Sequence, residues 1–548
     1  MKFLFDLIIK NGKIIDGSGN PWFKSDIGIK EGMISKIGKI KVSGDPVLYA
    51  EGQVVAPGFI DLHGHSDMAL TLEEHPRLLE PLITQGVTTQ VIGNCGMSPA
   101  PTTDKSREIQ KENLKLITPK EVSWQWSSME DYLKLLDEQG VILNVVPLTG
   151  HGALRSAIMG NKTSEPDEEE LRMMKSLLAD SFEQGSFGLS TGLIYPPGMW
   201  STTSELVELG QVTYEYGRIF TSHLRGYSET LIKAVDEVIE VGRVSGCKVE
   251  ISHHQAFGER YWKELDKTLN QIEKARTSGI DVAFDVIPYT TANTTILAIY
   301  PPWALKGGVS ELIKRLQNRE EREEIKKWVE HYTPEWPPWG MKGWPHNLVK
   351  ATGWKNIVLL YLASEKNRKL VGKNLEELGI ITGKHPFDAI SDLVIEERGD
   401  IMALYIGLSG DLKNEEPLLP LIKHPYASLV TDVIFVEKGI HHPAAHSCYP
   451  RVIGHYSIHL GLFSLEEAIR KITSLPAQRV GLWRRGLIRE GMFADLVIFD
   501  PEEVKEIDSN HPEHSKGINW VIINGEPVVE DGKYQSSLRP GQVLRKKN

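Results

Sequence analysis

Pro57-Gly58-Phe59-Ile60-Asp61-Leu62-His63-Gly64-His65 is a short, mostly apolar run that ends in two histidines. In an extended chain, side chains two apart point to the same side. His63 and His65 can therefore reach one point at the end of a buried strand, with Gly64 leaving room between them. Imidazole nitrogen is a common ligand for zinc and related metals. A strand end also holds a ligand more rigidly than a loop does. One His-x-His pair is a weak signal alone, and the residues around it must strengthen it.

Moving outward, the middle of the chain alternates strand and helix. Strand candidates are Phe59–His63, Thr88–Ile92, Ile142–Pro147, Phe187–Thr191, Ile219–His223, Lys248–His253, Val282–Ile287, Met402–Ile406 and Ser428–Thr431. Helical stretches with apolar spacing lie between them, as in Glu169–Phe182 and Thr230–Val244. Repeated βα units predict a parallel sheet, and this many predict a closed (β/α)8 barrel over about residues 57–479. Nine candidates compete for eight places, so one strand belongs elsewhere. Residues 301–360 break the rhythm with a charged helix, Arg319–Glu330, and the stretch Trp336-Pro337-Pro338-Trp339, and they read as an inserted subdomain. The two ends differ from the middle. Residues 1–56 and 480–548 carry short strands such as Lys13-Ile14-Ile15 and Trp520–Asn524, broken by glycine turns. They predict one small β-domain built from both termini.

Composition narrows the function classes. The chain has 548 residues, a formal net charge of −11 and 41% hydrophobic residues. That acidic balance argues against sequence-independent nucleic-acid binding, which needs a basic surface. No apolar run approaches a membrane span, and Met1-Lys2-Phe3-Leu4-Phe5-Asp6 does not read as a secretory signal. Three cysteines are few for a disulfide framework, so a cytoplasmic location is expected. A homo-oligomer stays open.

Catalytic groups of such barrels sit at the C-terminal strand ends. The polar residues there form a set: His63 and His65, then Cys95, His223, His253 with His254 beside it, and Asp432. Each alone has a plain structural explanation, since a lone cysteine packs as a small apolar residue and a lone aspartate caps a helix. Together at matching ends of one barrel they predict a metal site.

That pattern resembles the amidohydrolase superfamily, and more closely its N-acyl-D-amino-acid deacylase (D-aminoacylase) family. Gln85-Gly86-Val87-Thr88-Thr89, Gly93-Asn94-Cys95-Gly96, Gly150-His151-Gly152-Ala153-Leu154-Arg155 and Leu189–Gly198 are similar to that family's motifs. So are Ile251-Ser252-His253-His254, Pro301-Pro302-Trp303-Ala304 and Ser464–Arg470. The β-rich ends, including Arg489–Val497, resemble the superfamily's composite β-sandwich. The resemblance implies zinc-dependent hydrolysis of a linear amide, with an N-acyl-D-amino acid or related small-molecule amide as substrate. It implies a tight zinc on Cys95, His223 and His253, and a weaker second site on His63 and His65 that shares Cys95. No lysine follows the fourth strand, where many two-metal relatives carry a bridging one, and the thiolate takes that place. Asp432 would be the catalytic proton shuttle. Tyr195 and Tyr289 match family tyrosines and, with Arg225 and Gln255, would face the substrate.

The chain also departs from the family. Gln255 stands where the family has lysine, Ala444 where it has arginine, and Val433 where it has glycine. Cationic side chains commonly clamp a substrate carboxylate. Their loss predicts weaker handling of free acids unless Arg225 or Arg451 substitutes. Two other classes stay open: hydrolysis of cyclic amides (hydantoin or dihydropyrimidine type) or dipeptides, and a non-catalytic barrel scaffold.

Overall fold

A computed structural model describes residues 4–41, 46–337, 343–436, 438–506 and 516–547. Pro338 and Trp339 of the Trp-Pro stretch lie outside the described residues. The centre is a (β/α)8 barrel. Its strands are β1 (Phe59–Asp61), β2 (Val87–Ile92), β3 (Asn144–Pro147), β4 (Gly188–Gly192), β5 (Ile219–His223), β6 (Lys248–Ile251), β7 (Val282–Val286) and β8 (Ala427–Leu429). They lie side by side in chain order, each parallel to the next. Thr149–Gly150 carries the ladder from β3 to β4 after an interruption at Leu148, whose N–H donates to Ile92 O at 2.9 Å.

Helices cover the outside because their apolar residues recur on one face. Glu168–Glu183 buries Met174, Leu178 and Phe182 at a spacing of one turn. Its start is set by Asp167 and Glu170, whose carboxylates each accept the other's backbone N–H. Leu231–Ser245 stops at Gly246, which takes the left-handed conformation that glycine adopts freely.

The seam between β8 and β1 is joined by a side chain rather than by a strand ladder. Asp61, at the end of β1, accepts from Thr431 N at 3.1 Å, Thr431 Oγ1 at 2.6 Å and Gln90 Nε2 at 2.9 Å. Asp432 N then donates to His63 O at 3.0 Å. This draws the Asp432 segment against the His63 segment at the mouth of the barrel.

Strands from both chain ends form one nine-stranded sheet. Val54–Pro57 pairs antiparallel with Leu496–Phe499, so the two ends meet directly. Alternation divides the side chains of this pair. Val54, Ala56, Val497 and Phe499 join the barrel's core, while Val55, Leu496 and Ile498 fill a second small core.

Between β7 and β8 the chain builds a three-stranded antiparallel sheet from Thr291–Thr295, Ile401–Ile406 and Ile357–Leu362, with helices between the last two. The candidate strand Met402–Ile406 belongs here and not to the barrel. A six-residue apolar run suits a buried strand in either kind of sheet, so periodicity could not separate them. The insert is also wider than the expected 301–360, because its sheet is closed by strands on both sides of that stretch.

Replacing Asp61 with alanine leaves the Gln90 amide and two Thr431 donors unpaired in a buried seam. Asp61→Ala should lower unfolding stability by on the order of 3 kcal/mol, at about 1–3 kcal/mol per stranded group after relaxation. The shift of the urea unfolding midpoint against wild type checks this.

Candidate metal centre

Cys95, His253 and Asp432 come from chain segments that bend sharply where a barrel strand ends, while His223 closes its own strand. After β2, Gly93 (φ 80°), Cys95 (φ 53°) and Gly96 (φ 72°) are left-handed, which turns the thiol inward. A Cβ on Gly93 would lie 2.2 Å from Leu148 O, so glycine is required there. His253 (φ 34°) and Asp432 (φ 49°) also hold positive φ, a costly backbone state for residues with a Cβ. Between the paired histidines, a Cβ on Gly64 would meet Gln90 Nε2 at 2.1 Å.

Cys95 Sγ is the hub. It lies 3.2 Å from His63 Nε2, 3.5 Å from His223 Nδ1 and 3.6 Å from His253 Nε2. Asp432 Oδ1 lies 3.2 Å from His65 Nε2 and 3.4 Å from His63 Nε2. Two groups have ligand atoms mutually within 4.8 Å: His63, Cys95 and His253, and His63, His65 and Asp432. All five expected metal ligands and Asp432 thus converge, and His63 belongs to both groups. His254 points away, with its Nε2 2.9 Å from Thr268 Oγ1.

The donor set fits zinc. Thiolate and imidazole sharing one tetrahedral zinc lie about 3.5 Å apart, given Zn–S and Zn–N bonds of about 2.3 and 2.0 Å. Burial pushes His63 and His253 down to about 4 and His223 well below its ordinary value. Their imidazoles are therefore neutral, with lone pairs available to a cation. Burial, with help from Asp432 and Asp285, pushes the Cys95 thiol up. A bound cation is what would make it a thiolate. Burial also acts against the Asp432 carboxylate, but His63, His65 and His253 outweigh it and hold Asp432 well below the usual carboxylate range.

Two supporting residues were not legible as such. Asp285, inside β7, accepts the His253 backbone N–H at 2.5 Å, and its other oxygen lies 3.3 Å from His63 Nδ1. It orients the His63 ring and fixes the backbone of His253. Burial pushes it up to about 7. A lone carboxylate inside the run Val282-Ala283-Phe284-Asp285-Val286 was the available signal. Tyr227 OH accepts from Leu224 N at 2.8 Å and lies 2.9 Å from His253 Nδ1, the ring nitrogen turned away from Cys95.

A partly enclosed cavity lies over this cluster. Met97, Leu116, Ile194, Phe257, Leu348 and Ile434 make much of it apolar. Of the residues expected to face substrate, Tyr195 lines this cavity, its ring 4.9 Å from that of His223 and its hydroxyl 2.8 Å from Thr294 Oγ1. Arg225, Gln255 and Tyr289 do not line it. Arg225 is buried against Glu237, with Nε 2.9 Å from Oε2, and donates to Met199 O. Gln255 spends its amide on the backbone, donating to Tyr289 O and accepting from Ile287 N. The Tyr289 ring packs under the Arg451 guanidinium. Arg451 itself pairs with Glu415 and Glu506. These side chains are committed to partners far along the chain, which local sequence does not display.

The chain matches the family model for an amidohydrolase family over residues 47–193 and 377–529. It is 31% identical to D-aminoacylase of Alcaligenes xylosoxydans xylosoxydans, over 98% of this chain and 97% of the relative. It is 31% identical to N-acyl-D-glutamate deacylase of the same organism, over 100% of this chain and 98% of the relative. Its fold is similar to the crystal structure of N-acyl-D-glutamate deacylase from Bordetella bronchiseptica, solved with zinc and a phosphonate mimic of the tetrahedral intermediate. That similarity has a TM-score of 0.79 at 29% identity and covers 99% of this chain and 100% of that one. With the thiol-centred ligand cluster at the mouth of its barrel, the chain belongs to the amidohydrolase family.

Proposed function

We propose that this protein is a zinc-dependent hydrolase that deacylates N-acyl-D-amino acids or closely related linear amides. The observation that carries this is the convergence of Cys95, four histidines and Asp432 beneath one largely apolar cavity. Full-length similarity to D-aminoacylase and to N-acyl-D-glutamate deacylase supports it.

Cys95, His223 and His253 would hold the tight zinc, and His63 and His65 would form a second, weaker site sharing Cys95. When bound, the metal supplies Lewis acidity to the amide carbonyl and lowers the pKa of water. Asp432 receives the proton of the attacking water at its carboxylate and delivers it to the leaving nitrogen. The C–N bond breaks as the new C–O bond forms, and a carboxylic acid and an amine leave. Asp432 is ready for this because its carboxyl is held well below the usual carboxylate range. Asp285 and Tyr227 keep the ligand rings aimed. Tyr195 walls the cavity beside His223. The apolar wall residues suit an apolar acyl group or side chain.

The three cysteines are free, which fits the cytoplasmic location included in this proposal. No helix among the described residues is long and apolar enough to cross a membrane.

Zinc analysis tests the ligand set. Wild type should carry about one tightly held zinc per chain. Cys95→Ala should lose it, and His254→Ala, which alters a ring outside the cluster, should keep it. Full zinc in Cys95→Ala would remove the thiol from the site.

Turnover tests the proton shuttle. Asp432→Asn should reduce kcat by about 10²–10⁴-fold while zinc content stays near wild type. The same acetate-release assay separates the substrate classes. N-acetyl-D-amino acids should be cleaved, whereas hydantoin and dihydropyrimidine rings, followed by ring opening, should not.

A further inference from the structure

The insert delivers a histidine into the same cavity. His346 is 2% exposed and lines the space over Cys95, His223, His253 and Asp432. Neither Nδ1 nor Nε2 has a hydrogen-bond partner among the described residues. Outside the metal-ligand cluster, no other side chain lining the cavity is in that position.

The ring is held in place. Thr230 Oγ1 donates to Pro345 O at 2.6 Å, tying the preceding residue to the loop after β5. On the other side Asn347 caps Leu348–Thr352 and donates to Val329 O at 3.0 Å. The rings of Tyr227 and Phe257 flank His346, with centroids at 5.6 and 6.0 Å. Such a polar group, buried and fixed with nothing to bond, is costly unless a ligand completes it.

Its chemistry narrows that ligand. Burial pushes His346 down to about 3, so the ring is neutral and offers one N–H donor and one acceptor nitrogen. No lysine or arginine lines the cavity. Tyr195 is engaged with Thr294 and Tyr405 with Thr295 O, and Asn293 gives one N–H to the Met402 sulfur. A carboxylate offers acceptors only, so it can meet the ring only at its N–H, and it would find no cationic side chain among those lining the cavity. The two ring nitrogens point apart, so one amide group meets one of them: a carboxamide or peptide amide serves that nitrogen in either tautomer, through its carbonyl or its N–H, and brings no charge.

We propose that His346 selects substrates whose carboxyl end is an uncharged amide, such as N-acyl amino-acid amides or N-acyl peptides, over those with a free carboxylate. This rests on the deacylase reading above.

The test compares N-acetyl-D-leucine with N-acetyl-D-leucinamide, using acetate release from zinc-loaded full-length protein. Wild type should favour the amide in kcat/KM by about tenfold or more, the discrimination expected when a carboxylate is buried without a charge partner. In His346→Phe the ratio of amide to acid should fall by about tenfold, mostly through KM for the amide. His346→Gln, which keeps a donor and an acceptor at similar reach, should recover most of the ratio. Zinc content and unfolding midpoint, measured on each variant, show that both are folded and loaded. An active wild type that prefers the free acid would overturn this inference alone, as would a ratio unchanged in His346→Phe. A wild type that cleaves neither compound would overturn the deacylase reading and this inference with it.

Discussion

A buried thiol surrounded by imidazoles is the constraint on which the mouth of the barrel depends. Cys95 Sγ has three histidine nitrogens within 3.6 Å, and none of the four groups carries a charge when buried without a metal. A divalent cation turns this liability into a site, because it deprotonates the thiol and accepts the lone pairs. The strand ends are bent to serve that point. Cys95, His253 and Asp432 all take backbone states that residues with a Cβ avoid, and each lies directly in the cluster. Such strain persists only where the surrounding structure over-determines it. Here Gly93 packed on Leu148, Asp285 on the His253 N–H, and His63 O on the Asp432 N–H provide that restraint.

The same economy appears in how charge is distributed around the site. Arg225 and Arg451, the two arginines that could have served the substrate, are locked to Glu237, Glu415 and Glu506. Gln255, at the position where the family carries a lysine, supports the backbone after β7. The cavity therefore contains the ionised Asp432 and no cationic side chain to set beside a substrate carboxylate. The insert closes the space with Leu348, Leu408 and the neutral ring of His346.

The insert shows why strand type was harder to read than strand position. Met402–Ile406 has the apolar content of a buried strand and is one, but it pairs antiparallel with Thr291–Thr295 and Ile357–Leu362. Direction of pairing depends on what lies across the ladder, and that information sits more than forty residues away on one side and over a hundred on the other. The helices of the barrel were easier, since a one-turn apolar spacing such as Met174, Leu178 and Phe182 is local.

The sequence by itself determined the barrel, the set of polar residues at its strand ends and the meeting of both chain ends in one sheet. These follow from short-range alternation, from glycines at obligatory bends and from a histidine pair whose spacing matches the strand period. Tertiary structure alone decided which polar side chains remain available for chemistry. Whether Arg225, Gln255 or Arg451 can touch a substrate depends on carboxylates and carbonyls supplied by other elements. Whether His346 lines the cavity over the cluster depends on how an insert between β7 and β8 folds back over the barrel. Hydrogen bonds and ion pairs saturate, so a group already paired across the fold is lost to the site, and no local pattern records that pairing.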